Sequence, residues 1–256
     1  MGTRLERTSV QSAIRVGLPL IAAIALTATL FPLLPARHLP NTVVHPAVVA
    51  GVCWAGQLLY VSYSLNTTTI IRTLRGEVFG LATTVTLLRG ALYAVVAGFV
   101  VVPAGTALGW VPAACYGAGV VLDKVDGTIA RTVGEETVLG RRLDMAFDTF
   151  GFVAAPLVAV LWGALPVYYL ALSAARYVFL GAVRFHRWCG GTVHSLPDSN
   201  LGRYLAGVQM VFVTTALIPA VPTALVYTVA PVVLTPTLAV FTRDYLYVTG
   251  RLGSAH

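Results

Sequence analysis

Eight apolar stretches, each close to the roughly 20 residues that an α-helix needs to cross a hydrocarbon core, decide what this chain folds into. They run approximately over Val16–Leu34, Val44–Tyr63, Leu81–Val102, Thr106–Asp126, Gly140–Trp162, Leu165–Val183, Leu201–Ile218 and Thr223–Phe241. Pro and Gly punctuate them, as at Pro35, Pro40, Pro103, Gly105, Gly163, Gly190, Pro219 and Pro222. Lipid offers no partner to a backbone amide, so every such stretch must satisfy its own hydrogen bonds as a helix. Composition agrees: 57% of the 256 residues are hydrophobic and 11% charged, against about a quarter charged in a soluble domain. The expectation is an all-α polytopic membrane protein with about eight transmembrane helices. The first run is read as a retained span, because Pro35-Ala36-Arg37 is a poor signal-peptidase site.

Charge gives the orientation. The net charge is +7, and Lys124 is the only lysine. With a cytoplasmic amino terminus, the cytoplasmic segments hold Arg4, Arg7, Arg15, Arg72, Arg75, Arg131, Arg141, Arg142, Arg184, Arg187, Arg203, Arg243 and Arg251, whereas the opposite loops hold only Arg37. Both termini are then cytoplasmic in a multi-pass cell-membrane protein. Arg89, Lys124 and Arg176 fall within spans. Arginines scattered between apolar runs suit anionic lipid headgroups or phosphorylated substrates and argue against nucleic acid. Cys53, Cys115 and Cys189 form no CxxC pair, so they read as small apolar side chains. Trp110, Tyr168 and Tyr169, near span ends, read as interfacial anchors. The polar segment Ser64–Gly80 divides a two-helix extension, residues 1–80, from a six-helix remainder, residues 81–256.

Four of the ten acidic residues, Asp123, Asp126, Asp144 and Asp148, sit at the ends of two apolar helices. A charge inside a span costs about 2.5–3.5 kcal/mol on insertion scales, and four carboxylates repel one another besides. A bound cation offsets this most simply; an ion-pair network with Lys124 or Arg142 is the plain alternative. Asp123 and Asp126 are i and i+3, and Asp144 and Asp148 are i and i+4, so each pair shares a helix face. The short connection Thr132–Leu139 lets the two helices pack antiparallel and aim both faces at one point. All-oxygen ligation suits Mg²⁺ or Mn²⁺ rather than zinc. Gly127 and Ala130 let a ligand approach the backbone, and Arg131 is placed to hold a phosphate with its planar fork. Metal, arginine and a small-residue surface together describe a pyrophosphate site.

The stretch LDKVDGTIARTVGEETVLGRRLDMAFD reads D-x2-D-G-x2-A-R-x8-G-x3-D-x3-D. It resembles, position for position, the signature of the CDP-alcohol phosphotransferase family. Thr86 and Arg89 are similar to that family's T-x-x-R on its first core helix, with Thr83 where an asparagine is common. The first 80 residues lie outside the pattern. The resemblance implies a six-helix catalytic core over residues 81–256, a homodimer, and a polar cavity open to the cytoplasm. It implies that Asp123, Asp126, Asp144 and Asp148 hold two Mg²⁺ or Mn²⁺ ions, with Asp148 also the general base. Asp123, Gly127, Ala130, Arg131, Gly140, Asp144 and Thr86 would bind the nucleotide. The implied reaction moves a phosphatidyl or archaetidyl group from a CDP-linked lipid to a small alcohol, with release of CMP.

Two other functions are compatible with intramembrane aspartates: a prenyltransferase, whose acidic motifs lie on well-separated segments, and an ion-coupled transporter, which has no need of Gly127, Ala130 and Arg131 at these offsets. For the acceptor, the basic segment carrying Arg184, Arg187 and Arg203 points to a phosphorylated polyol such as glycerol phosphate or inositol phosphate. Phe150-Gly151 and Ala155-Pro156 resemble serine-using members instead.

Overall fold

The structure, a computed structural model, describes residues 44–68, 81–133, 138–194 and 200–252. Among these the chain forms seven α-helices and no strand: α1 (Pro46–Thr68), α2 (Leu81–Gly98), α3 (Trp110–Val133), α4 (Val138–Leu161), α5 (Leu170–Trp188), α6 (Asn200–Ala216) and α7 (Thr223–Val248). The expected span Val16–Leu34 lies outside the described residues. Each of the other seven expected spans corresponds to a helix. By length and composition alone, Pro46–Ser64, Arg142–Leu161 and Thr223–Val248 are apolar enough to cross a membrane.

Helix ends differ from the apolar boundaries for local reasons. α3 starts at Trp110 rather than Thr106, because the Gly109 amide closes a turn on the Thr106 carbonyl at 3.0 Å. α5 waits for a 3-10 turn, Val167–Tyr169, that follows Pro166. Both α5 and α7 outrun their apolar stretches, to Trp188 and Val248, since backbone hydrogen bonding does not depend on side-chain hydropathy. Three helices stop in the same way. After α4, Gly163 at φ 69° donates to Val160 and Ala164 donates to Ala159, at 2.9 and 2.8 Å. Gly190 after α5 and Gly250 after α7 repeat the pattern with φ of 82° and 68°. A side chain resists that left-handed φ, so glycine is what closes the last carbonyls.

Contacts divide the chain into two compact units, one up to Val158 and one from Ala159. In lipid, apolar burial gives helices little reason to associate, so close packing depends on small residues that let backbones approach. In the first unit α2 supplies them. Gly90, Ala94 and Gly98 recur every four residues and face α1. A Cβ on Gly98 would lie 2.9 Å from the Pro46 carbonyl oxygen, and one on Gly90 would overlap the Gln57 amide. α1 therefore runs antiparallel along α2. Trp54, Val61, Leu87, Ala91, Ala94, Leu143 and Phe147 form the apolar contact between α1, α2 and α4.

On α2 next to this stripe stands Tyr93, fully buried. Its ring fills a slot between α3 and α4: a Cβ on Gly119 would run into it, and one on Gly151 would stand 2.7 Å from it. Tyr116 packs against it with ring centroids 5.3 Å apart.

In the second unit a buried amide links the turn before α5 to α6 and α7. The Tyr169 hydroxyl donates to Gln209 Oε1, while Gln209 Nε2 donates to Thr237 Oγ1 at 2.7 Å and to the Val233 carbonyl at 2.8 Å. The expectation for the three aromatics is thus split. Trp110 and Tyr168 are exposed, but Tyr169 is buried because its hydroxyl has a partner inside.

Candidate metal centre

The site lies in the first unit, where α2, α3 and α4 meet. α3 presents Asp123, and α4 presents Asp144 and Asp148 one turn apart. One carboxylate oxygen from each lies within 4.8 Å of the others. The i, i+4 spacing puts the α4 pair on one face, and the short α3–α4 connection lets Asp123 meet it. This is the arrangement expected from the sequence for these three residues.

Their partner is Arg89. Its side chain is almost wholly buried, and it reaches all three carboxylates at once. Nη1 donates to Asp123 Oδ1 at 2.6 Å, and Nη2 donates to Asp144 Oδ1 and lies 3.3 Å from Asp148 Oδ1. Lys124, exposed, stands 3.7 Å from Asp123 Oδ2, and Arg142 is exposed. The central partner is therefore neither of the two cations weighed from sequence. The signal for it was an arginine inside an apolar span with no acidic residue on that span.

The Arg89 guanidinium and the exposed Lys124 ammonium face three carboxylates, so the described side chains leave one negative charge uncompensated. A cation relieves that deficit, and three converging oxygens match the ligand type that hard cations prefer. Arg89 occupies Oδ1 of each aspartate in these contacts. The donor set fits a Mg²⁺ or Mn²⁺ site.

The remaining expected residues fall as follows. Asp126, Gly127, Ala130 and Arg131 are on α3 and Gly140 is on α4, but their side chains lie outside the described residues. Thr86 is buried on α2, one turn before Arg89. Arg184 and Arg187 are exposed in the last turns of α5, and Arg203 is exposed on α6, where Nη1 donates to Asn200 Oδ1 at 3.4 Å. These three arginines belong to the second unit. There His186 Nε2 lies 3.2 Å from the Thr192 carbonyl, the His194 amide donates to the Val248 carbonyl at 2.9 Å, and Arg243 pairs with Asp244 at 2.8 Å.

A family model described as CDP-alcohol phosphatidyltransferase matches residues 79–240, more than half of the chain and all of α2 to α6. A search of curated proteins found no match.

Proposed function

Since the chain belongs to the CDP-alcohol phosphatidyltransferase family, a family of membrane transferases that move a phosphatidyl group from a CDP-alcohol, we propose that the cluster on α3 and α4 is its reaction centre. The observation that carries this reading is the convergence of Asp123, Asp144 and Asp148, with ligand oxygens within 4.8 Å of one another. Asp126, one turn after Asp123 in sequence, completes the set, which would hold two ions of Mg²⁺ or Mn²⁺. Metal held there would supply the positive charge that a pyrophosphate and its leaving group need.

The protein's own groups do the rest. Arg131 grips a phosphate, and Gly127, Ala130, Gly140 and Thr86 line the CDP pocket together with Asp123 and Asp144. Asp148 takes the proton from the acceptor hydroxyl. The acceptor oxygen bonds to the phosphorus that bears the lipid, the bond from that phosphorus to CMP breaks, and a phosphodiester forms. The donor carries diacylglycerol or archaeol. The acceptor is a phosphorylated polyol, glycerol phosphate or inositol phosphate, held by Arg184, Arg187 and Arg203; serine is the other candidate.

The site faces the cytoplasm, as do both termini, by the arginine asymmetry of the loops. Residues 1–80 extend a six-helix catalytic core over 81–256, which works as a homodimer in the cell membrane.

The test is CMP release from CDP-lipid by purified protein with Mg²⁺ or Mn²⁺, across a panel of acceptors, with the lipid product identified by mass. A product mass matching one acceptor assigns it. No CMP release with any acceptor would remove the phosphotransferase reading and leave ion-coupled transport.

A further inference from the structure

Asp123 is shared between two cations of opposite character. Its Oδ1 accepts from Arg89 Nη1 at 2.6 Å, and its Oδ2 lies 3.7 Å from Lys124 Nζ. The arginine is fixed: its side chain is 1% exposed, and it also meets Asp144 and Asp148. The lysine is not. Its side chain is 65% exposed, and at 3.7 Å the ammonium stands beyond hydrogen-bond distance. An exposed ion pair of this kind adds little to stability, so the ammonium leaves Asp123 easily. Lys124 is the only lysine of the chain and fills one of the open positions of D-x2-D-G, so the family signature assigns it nothing.

Charge decides what a held cation would change. Arg89 and Lys124 against three carboxylates leave one negative charge. One divalent ion added to that set leaves one positive charge, which attracts an anion. Oδ2 is the Asp123 oxygen that Arg89 does not take, so it is the one open to an ion, and the ammonium beside it would be repelled. A lysine stem is flexible, and its ammonium carries three donors. Once displaced, it stays on the exposed side of the centre and needs a new acceptor. We propose that Lys124 is a phosphate-binding residue: its ammonium stands in on Asp123 Oδ2 until a cation takes that oxygen, and then pairs with a phosphate oxygen of a substrate. The idea rests on the metal-dependent reading above, and it makes metal and substrate phosphate bind in a favoured order. That phosphate belongs to the CDP-linked donor or to a phosphorylated acceptor.

The experiment uses the full-length protein in nanodiscs. Mn²⁺ binding is followed through the electron paramagnetic resonance signal of the free ion, and CDP and glycerol 3-phosphate are titrated by calorimetry at saturating Mn²⁺. Lys124→Gln removes the charge, and Lys124→Arg keeps it. With no phosphate present, Lys124→Gln should bind Mn²⁺ about two- to fivefold more tightly, the worth of an exposed ion pair. With Mn²⁺ bound, it should bind at least one of the two phosphate probes about five- to tenfold more weakly, the worth of one hydrogen bond. Weaker CDP assigns Lys124 to the donor, and weaker glycerol 3-phosphate assigns it to the acceptor. Loss of a packing contact would not move metal and phosphate in opposite directions. Lys124→Arg should stay within about twofold of wild type in every titration. Unchanged binding of both probes by Lys124→Gln, unchanged or looser Mn²⁺, or an arginine variant that behaves as the glutamine one does would each overturn the proposal. Wild type that binds no Mn²⁺ at all would overturn the metal centre along with it.

Discussion

Arg89→Met is the change that best separates a charge-compensating arginine from one that merely packs. It removes the contact to Asp123 at 2.6 Å, the one to Asp148 at 3.3 Å and the shorter one to Asp144, while keeping much of the side-chain volume. The carboxylates then face one another across at most 4.8 Å. At an effective dielectric of about 20, each such pair repels by about 3.5 kcal/mol, so three pairs would cost about 10 kcal/mol if nothing moved. Asp144 is 41% exposed and turns toward water, which relieves much of this. A loss of about 3–5 kcal/mol remains, typical of a buried ion pair deprived of one partner. At about 2–4 °C per kcal/mol for a chain of this size, the melting temperature in EDTA should fall by roughly 10 °C. Mn²⁺ stabilises both proteins, but the variant more, because Arg89 no longer competes for the ligand oxygens; a roughly hundredfold tighter Kd in the variant adds about 2.7 kcal/mol to it relative to wild type. The gap between variant and wild type should therefore shrink to less than half. Tryptophan fluorescence during heating, in detergent with either EDTA or Mn²⁺, reads both numbers. A gap of the same size in the two buffers would refute the electrostatic account.

Other outcomes follow from the same geometry. Asp148→Asn should lower turnover by about 10²–10⁴-fold and leave CDP binding, measured by calorimetry, within a few fold; retained turnover removes Asp148 as the base. Gly151→Ala places a Cβ against the Tyr93 ring and should cost about 1–3 kcal/mol, seen as a lower melting temperature with or without metal. Gln209→Leu strands the Tyr169 hydroxyl and removes two donor contacts, a loss of about 1–3 kcal/mol in denaturant unfolding; unchanged stability would mean that the network contributes nothing. Arg203→Ala should raise KM for a phosphorylated acceptor in a steady-state assay, and an unchanged KM would favour a neutral alcohol.

Much of this was legible in the residues. The apolar runs give seven of the helices, because in lipid the backbone has no alternative to hydrogen bonding within its own segment. The spacing of Asp123, Asp144 and Asp148 gives their convergence, because helix periodicity fixes which side chains share a face. Arg89 is harder. Its T-x-x-R setting marks it, but its three contacts depend on how α2 packs against α3 and α4, and local pattern does not encode that. The same applies to Gln57, a single amide in an apolar span whose neighbour, Gly90, lies on another helix. Tyr169 was misplaced for a related reason: position near a span end suits an anchor, but an amide on α6 gives its hydroxyl a partner inside. Ends governed by Gly190 and Gly250 lie beyond the apolar runs of α5 and α7, because hydropathy says nothing about where a backbone turns.

Tyr93 and the two glycines that admit it amount to a fixed sum of volumes shared among three helices. Such a sum can be redistributed but not changed piecemeal. A leucine at 93 would make room for an alanine at 151, although either substitution alone would leave a gap or a clash. Relatives of this chain should accordingly vary at positions 93, 119 and 151 in concert, a bulkier residue at one accompanied by a slimmer one at another.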